Sequence, residues 1–407
     1  MPRPLDVFVR VDEARSLLAK ALSGLVRQEA EEVELLEALG GISAEDVAAL
    51  RDSPPFDRSA VDGYAVRSSD VSSASRSSPA LLRIREGGGC LGEGEAVPVS
   101  TGDPLPCGAD AVLMLEDCER RDGQLLAWRP AGPGANVSRR GEDFAAGEVV
   151  VRRGQMITAY HVAAIAAAGR STVKVLRRLR VGVVAVGSEL VEPGAEFGPH
   201  SVFNSTAYLV VALLNASGIA RANYHGIVPD DPGLVAKAIE VAADANDLVV
   251  TTGGTGPSSR DVVLEAIERL AGANTIFRGV AMRPGRPTSA TSLGNGKVVV
   301  HLSGFPVAAW TGSVAILLPA LFESLGLEHR PRTVRARLAR RLPGSPGYRT
   351  FVRVKLVNAA DGLEAEPIML RGSGVLSSLF RSDGYVIIPE DVEGFERGTL
   401  VDVHMLF

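Results

Sequence analysis

The chain has 407 residues, 46% of them apolar and 22% charged, with a formal net charge of −5. This is globular composition on a chain too long for one hydrophobic core, so two to four domains are expected and a disordered or fibrous chain is excluded. No basic tract rises out of the acidic balance, which argues against a nucleic-acid partner, and no uninterrupted run of about eighteen apolar residues predicts a membrane span.

The first residues, Met1-Pro2-Arg3-Pro4-Leu5-Asp6, lack the apolar core of a signal peptide. Three cysteines, Cys90, Cys107 and Cys118, fall in one region without metal or redox spacing. Their odd count suits a reducing compartment, and a cytoplasmic location is the expectation.

Residues 11–39 carry helical spacing. Leu17, Leu18, Ala21, Leu22 and Leu25 share one face, and Val33, Leu35, Leu36 and Leu39 continue it after a break. From about residue 53 short apolar runs alternate with Gly, Pro and Asp turns, which predicts a β-rich region. Within it the serine-rich segment 68–78 reads as a surface loop. A helix is predicted at 159–168, closed by Gly169. From Leu179 strands at 181–186, 222–228, 247–252 and 298–302 alternate with helices at 207–215, 232–243, 262–270 and 307–325. That alternation predicts right-handed crossovers and a doubly wound α/β domain, with ligands at the carboxyl ends of its strands. Pro331-Arg332 opens a basic stretch and a small β-rich tail.

The buried strand ending in Thr251-Thr252 breaks into Gly253-Gly254-Thr255-Gly256, with a helix after Asp261. Glycines allow backbone N–H groups to approach a ligand closely, and the following helix N-terminus favours a phosphate or carboxylate. A plain strand-to-helix turn is the alternative. Three glycines with threonine hydroxyls favour ligand binding over that turn. Further on, Met282-Arg283-Pro284-Gly285-Arg286-Pro287 holds two arginines on a proline-stiffened backbone, an arrangement suited to a tetrahedral oxyanion or, equally, to a solvated turn.

Several acids sit in loops: Asp57, Asp62, Glu142, Asp143, Glu189, Asp230, Asp231 and Asp261. Strand-end carboxylates in an α/β domain face the ligand crevice. Carboxylates beside an anion loop imply a bridging Mg²⁺. Singly, each has a structural reading; Asp231 before Pro232 is a good helix N-cap, and Asp57 makes a turn.

The block Phe56-Asp57-Arg58-Ser59-Ala60-Val61-Asp62-Gly63-Tyr64-Ala65 resembles the signature of the MoeA family, the molybdopterin molybdenumtransferases, also found as the E domain of gephyrin. Ser100-Thr101-Gly102-Asp103-Pro104 with Gly108-Ala109-Asp110-Ala111-Val112 is similar to a second block of that family, and Asn136-Val137-Ser138-Arg139-Arg140-Gly141-Glu142-Asp143 to a third. Gly187-Ser188-Glu189-Leu190, the arginine loop, and Gly372-Ser373-Gly374 with Ser377-Ser378 follow in the same order, so the resemblance covers nearly the whole chain.

The resemblance implies four domains: a helical linker domain (1–50 with 144–178), a β-rich domain (51–143), a doubly wound α/β domain (179–328) and a C-terminal β-barrel (329–407). It implies a homodimer whose site lies between the α/β domain of one subunit and the β-rich domain of its partner. The implied reaction is Mg²⁺-dependent insertion of molybdate, or tungstate, into adenylylated molybdopterin with release of AMP. The molybdopterin adenylyltransferase and acceptor molybdoenzymes are the protein partners it suggests. Carried over by position, Asp62, Asp143, Glu189, Asp230 and Asp261 match the family's functional acids, with Glu189, Asp230 and Asp261 assigned to the metal. Thr101 matches a site threonine; Gly253, Gly254, Thr255, Gly256 and Ser303 would bind the nucleotide, and Arg283, Arg286 and Pro287 the oxyanion.

Some positions depart from the family pattern. Gly253-Gly254-Thr255-Gly256 looks like the loop of molybdopterin adenylyltransferases, Phe305 stands where an asparagine is usual, and Ser188 where an acid is usual. Two other functions therefore stay open: a non-catalytic paralogue that binds pterin or nucleotide or scaffolds partners, and an adenylyltransferase-like activity.

Overall fold

A computed structural model describes residues 8–23, 29–86, 89–255, 262–360, 362–368 and 372–406. The chain divides into two compact units, one made of residues 32–175 and the other of the segments on either side.

The second of these units contains the α/β domain. Its strands are β1 (Leu179–Val186), β2 (Ala220–Val228), β3 (Leu248–Gly253), β4 (Asn274–Arg278), β5 (Ser289–Ser292) and β6 (Val298–Leu302), in spatial order β2-β1-β3-β6-β5-β4. The four strands read from the sequence run parallel, and β5 and β4 add an antiparallel edge, so the sheet is mixed. Central strands covered on both faces must be apolar throughout, which is why β1, β3 and β6 announce themselves as unbroken valine-rich runs. The two added strands carry small polar residues: Ser289, Thr291 and Ser292 in β5, Asn274 and Thr275 in β4.

Helices α2 (Thr206–Ala216), α3 (Pro232–Ala245) and α4 (Val262–Glu268) cover the sheet. Asp231 caps α3, its Oδ1 accepting from the Leu234 N–H at 2.9 Å, and Pro232 fills the first turn where no donor is needed. Val184, Val186, Val235, Ile239, Val249, Val263 and Val299 form the core between sheet and helices, each worth about 1.5–3 kcal/mol for its burial. α5 (Pro306–Gly312) continues through a π-helical turn, Ser313–Leu317, into Leu318–Ser324. This helix is long and apolar enough to cross a membrane by composition, but 72% of its most apolar stretch is buried inside the unit, as befits a core helix.

α1 (Val11–Ser23) packs on Leu318–Ser324 through Val11, Ala14, Leu18, Ala19 and Leu22. Leu17 lies at the margin of that face, 36% exposed, and Leu25 is outside the described residues. Beyond, strands Thr333–Leu338, Arg349–Ala359, Gly362–Pro367, Gly384–Ile388 and Leu400–Met405 close into a barrel through the pairing of Arg349–Ala359 with Gly384–Ile388. The short strand Met282–Arg283 adds to its edge in parallel with Arg349–Ala359.

The 32–175 unit holds a six-stranded sheet in the order Ala111–Met114, Gly63–Val66, Glu95–Val99, Ala80–Ile84, Gln124–Ala127, Cys118–Arg121. A second core gathers Ala38, Val47, Val151, Ile157, Ile165, Val173 and Val175 around helix Ala159–Ala167, whose start is fixed by a Thr158–His161 capping box.

Three expectations need correction. Residues Ala30–Glu34 are a strand paired with Thr172–Leu176 rather than a continuation of the first helix. A helix would stack Glu31 on Glu34 at i,i+3, a repulsion that the strand avoids. The serine-rich segment is not merely a surface loop: Ser68–Val71 is a helical turn, with Ser68, Val71 and Ala74 buried and the Ser68 hydroxyl donating to Asp110 Oδ2 at 2.7 Å. Finally, Cys90 and Cys107 form a disulfide, which spacing alone did not signal because the pairing joins two exposed loops, with the Leu91 N–H donating to the Cys107 carbonyl. Cys118 remains a buried thiol, its pKa pushed up to about 11 by burial.

Candidate functional site

A cleft of about 430 Å³ opens at the carboxyl ends of β1, β3 and β6. This is where an α/β sheet leaves room between the loops that follow its strands. Val186 of β1 pairs with Gly253 of β3, so the turns after both strands meet on the floor. Gly253 and Gly254 have φ of 90° and 64°. A Cβ on Gly253 would lie 2.1 Å from the Val186 carbonyl oxygen, and one on Gly254 2.7 Å from Val263 Cγ2. Both positive φ and close packing therefore demand glycine here. Thr255 also lines the cleft, and its Oγ1 is buried with no hydrogen-bond partner among the described residues. Gly256 and Asp261 lie outside the described residues.

Below the loop, β3 is pinned to its neighbours by a buried polar chain. Thr251 Oγ1 lies 3.0 Å from His301 Nδ1, and Thr291 Oγ1 lies 3.2 Å from His301 Nε2. Complete burial pushes the imidazole down to about 4, so this histidine is neutral.

Two of the expected acids, Glu189 and Asp230, line the cleft. Asp230 Oδ2 accepts from the Ser188 N–H at 2.9 Å, while Ser188 Oγ accepts from the Asp230 N–H at 2.9 Å. Nearby, Asn204 is structural: its Oδ1 accepts from the Ala207 N–H at 3.2 Å, and its Nδ2 donates to the Tyr224 hydroxyl at 2.8 Å. Burial, reinforced by donation to Glu192, raises the pKa of that hydroxyl. Ser303 lines the cleft, its Oγ accepting from the Phe305 N–H at 3.2 Å, and Gly304 leaves space for the loop, since a Cβ there would meet Gly253 Cα at 3.2 Å.

Phe203 and Phe305 also line the cleft, 42% and 60% exposed. In the sequence Phe305 stands out only as a missing amide, and Phe203 does not stand out. Large apolar residues in turn-rich stretches were the available signal.

Arg283 and Arg286 do not line this cleft. The Arg283 guanidinium lies 4.4 Å from the centre of the Tyr348 ring and donates to Ser345 Oγ at 3.3 Å; Arg286 sits 5.5 Å from the Phe8 ring centre. Pro287 is half-buried beside them.

In the 32–175 unit the three sequence blocks converge on Ser59. Arg58–Ser59 pairs with Val137–Ser138, the Ser59 N–H donates to the Asp103 carbonyl, and its carbonyl accepts from Gly102. Asp62 Oδ1 accepts from the Thr101 N–H at 2.7 Å and Thr101 Oγ1 at 3.1 Å. The Asp143 N–H donates to the Ser53 carbonyl at 2.9 Å, and Asp57 Oδ1 accepts from the Arg140 N–H at 2.7 Å, the turn-forming role. Asp52 pairs with Arg140 and is held below the usual carboxylate range, first by the Ala146 N–H and then by that guanidinium.

Among the described residues no three His, Cys, Asp or Glu side chains come together as a metal site. The cleft offers the carboxylates of Glu189 and Asp230. That fits Mg²⁺, which usually takes one or two protein carboxylates and completes its shell with water and substrate phosphates.

Comparison with known proteins accounts for this arrangement. The family model of the MoeA N-terminal region (domains I and II) matches residues 9–169, that of a probable molybdopterin binding domain residues 182–323, and that of the MoeA C-terminal region (domain IV) residues 335–406. A Methanocaldococcus jannaschii protein provisionally named for molybdopterin biosynthesis is 38% identical over 383 residues, 92% of each chain. A molybdopterin molybdenumtransferase of Staphylococcus aureus is 32% identical over 380 residues, 91% of this chain and 90% of its own. The crystal structure of the molybdopterin biosynthesis MoeA protein of Pyrococcus horikoshii superposes with a TM-score of 0.79 at 31% identity, covering 98% of this chain and 100% of that one. The chain belongs to the MoeA family of molybdenum cofactor biosynthesis.

Proposed function

We propose that the chain is a molybdopterin molybdenumtransferase, inserting molybdate, or tungstate in its place, into adenylylated molybdopterin with release of AMP. The observation that carries this reading is the shared cleft, where Gly253 and Gly254 face the same space as Glu189 and Asp230. Anion-binding backbone and carboxylates on one cavity suit a phosphate ester whose charge is shared with a divalent cation.

In this reading the N–H groups of the 253–255 turn cradle the phosphates, and the Thr255 hydroxyl, which has no partner among the described residues, donates to them. Glu189 and Asp230 would hold Mg²⁺, with Asp261 as a third acid. The ion would neutralise phosphate charge when bound. The clasp with Ser188 fixes the carboxylate of Asp230, so it need not reorganise when substrate enters. Arg283, whose fork is set by Tyr348 and Ser345, and Arg286 serve the molybdate oxyanion. Asp62, Thr101 and Asp143 join the site through a homodimer in which two subunits complete it. The same proposal places the enzyme in the cytoplasm, between the adenylyltransferase that supplies its substrate and the molybdoenzymes that accept its product.

Purified protein supplied with adenylylated molybdopterin, Mg²⁺ and molybdate should release AMP, and release should fall when either ion is withheld. No AMP under the complete conditions would sink the reading. A second reading, binding without turnover, draws on Phe305, whose exposed apolar ring stands on the cleft wall. Tight binding of the same substrate with no AMP formed would favour it.

A further inference from the structure

We propose that Phe305 is a stacking platform for the planar heteroaromatic ring of the substrate. The inference rests on the function proposed above and adds a binding residue to it.

Phe305 is 60% exposed on the wall of the cleft, although a phenyl ring gains most from burial. Its backbone is not free to withdraw it. The N–H donates to Ser303 Oγ at 3.2 Å, the carbonyl accepts from the Ala309 N–H at 2.9 Å, and Pro306 follows as the first residue of α5. The ring is also supported from one side. A Cβ on Gly374 would lie 3.1 Å from Phe305 Cδ1, so the absence of a side chain at 374 makes room for the ring at this place. Gly374 lines the same cleft. A second exposed aromatic, Phe203, lines it too, steadied by an edge-on contact with Phe197 at 5.2 Å between ring centres.

The cleft therefore has a glycine floor for an anion and aromatic walls for something flat and apolar. A nucleotide has both parts in one molecule, and so does a phosphorylated pterin. Stacking requires only a π face, so the shared chemistry is a planar nitrogen heterocycle, either the adenine or the pterin of the substrate.

The test is calorimetric titration of the whole protein with three probes: AMP, molybdopterin, and ribose 5-phosphate, which has the anion without a ring. Phe305→Ala should weaken binding of one ringed probe by about tenfold or more. It should leave ribose 5-phosphate unchanged, and Phe305→Tyr should retain wild-type affinity. A loss confined to AMP assigns adenine to the platform, and a loss confined to molybdopterin assigns the pterin. Equal affinity of wild type and Phe305→Ala for both ringed probes would overturn the proposal, as would a parallel loss of ribose 5-phosphate. Full retention by Phe305→Leu would overturn stacking in favour of simple apolar contact. Should wild type bind none of the three probes, the proposed function falls and takes this inference with it.

Discussion

Ser188 and Asp230 hold each other through two hydrogen bonds of 2.9 Å, each backbone N–H donating to the other residue's side chain. The pair ties the loop after β1 to the loop after β2, and it aims an exposed carboxylate into the cleft. A backbone amide donating to a carboxylate is a charge-assisted bond, so the clasp resists rotation of the Asp230 side chain. Ser188→Ala keeps the Ser188 N–H bond to the carboxylate and removes the Oγ that accepts from the Asp230 N–H, freeing the backbone that carries Asp230. The variant should fold with unchanged unfolding midpoint and release AMP about tenfold more slowly, because loss of orientation costs rate more than stability. Ser188→Thr should restore most of the rate. Steady-state kinetics on the three proteins decide the matter, and an unaltered rate in Ser188→Ala would remove the clasp from the mechanism.

The glycine floor gives a second expectation. Gly254 has a φ of 64°, and an added Cβ would fall 2.7 Å from Val263 Cγ2 and 2.8 Å from Val186 Cγ1. Gly254→Ala should cost about 2–4 kcal/mol, combining the left-handed backbone with overpacking of a core valine. Urea unfolding measures the stability, and titration with inorganic phosphate measures the site. Both should suffer.

Acid should weaken this domain through His301. Burial holds its folded pKa at about 4, against 6.5 for an ordinary imidazole. As pH falls through about 6.5 the unfolded chain takes up a proton that the folded chain refuses, so stability declines until about pH 4 and then levels. The full loss is about 3 kcal/mol. Urea midpoints compared between about pH 7 and about pH 4.5 should fall in wild type and fall less in His301→Gln. Parallel slopes in the two proteins would contradict the assignment.

Reduction should act on the other unit. The disulfide between Cys90 and Cys107 closes a loop of 17 residues' separation, which contains Thr101 and strand Glu95–Val99. Opening a loop of this length raises the entropy of the unfolded chain by an amount worth about 3 kcal/mol. Thermal unfolding with and without dithiothreitol should differ in wild type and coincide in Cys90→Ser.

A shared site predicts complementation. Asp62→Asn and Glu189→Gln, each expected to be impaired alone, should regain part of the activity when mixed as heterodimers. No recovery in verified heterodimers would count against a site completed by two subunits.

The sequence was most informative where one physical demand dominated. β1, β3 and β6 are covered on both faces and so must be continuously apolar, and Gly253 and Gly254 occupy positions where nothing larger fits. β4 and β5 escaped because their polar residues find partners only once the strands pair, as Thr291 does with His301 of β6. The helical reading of 33–39 failed because apolar spacing over a few residues suits more than one conformation. Glu189 and Asp230 were legible as strand-end acids. The surroundings of Arg283 were not, since Ser345 comes 62 residues later and is brought near by the barrel. Phe305 was visible as a substitution, but the exposure that makes it useful is a property of the folded surface.

α1 is synthesised ahead of every residue it packs against. Asp12 takes two bonds from Arg349, at 2.9 and 2.7 Å, across 337 residues of sequence, and Arg15 meets Glu323 at 3.4 Å. The apolar stripe of Val11, Ala14, Leu18 and Leu22 must therefore stay uncovered while the whole 32–175 unit and most of the α/β domain emerge. Apolar surface exposed in this way during folding is prone to aggregation. Maturation of this protein then runs against the direction of its synthesis: an early helix is among the last elements to find its place, and slow or interrupted translation exposes it longest.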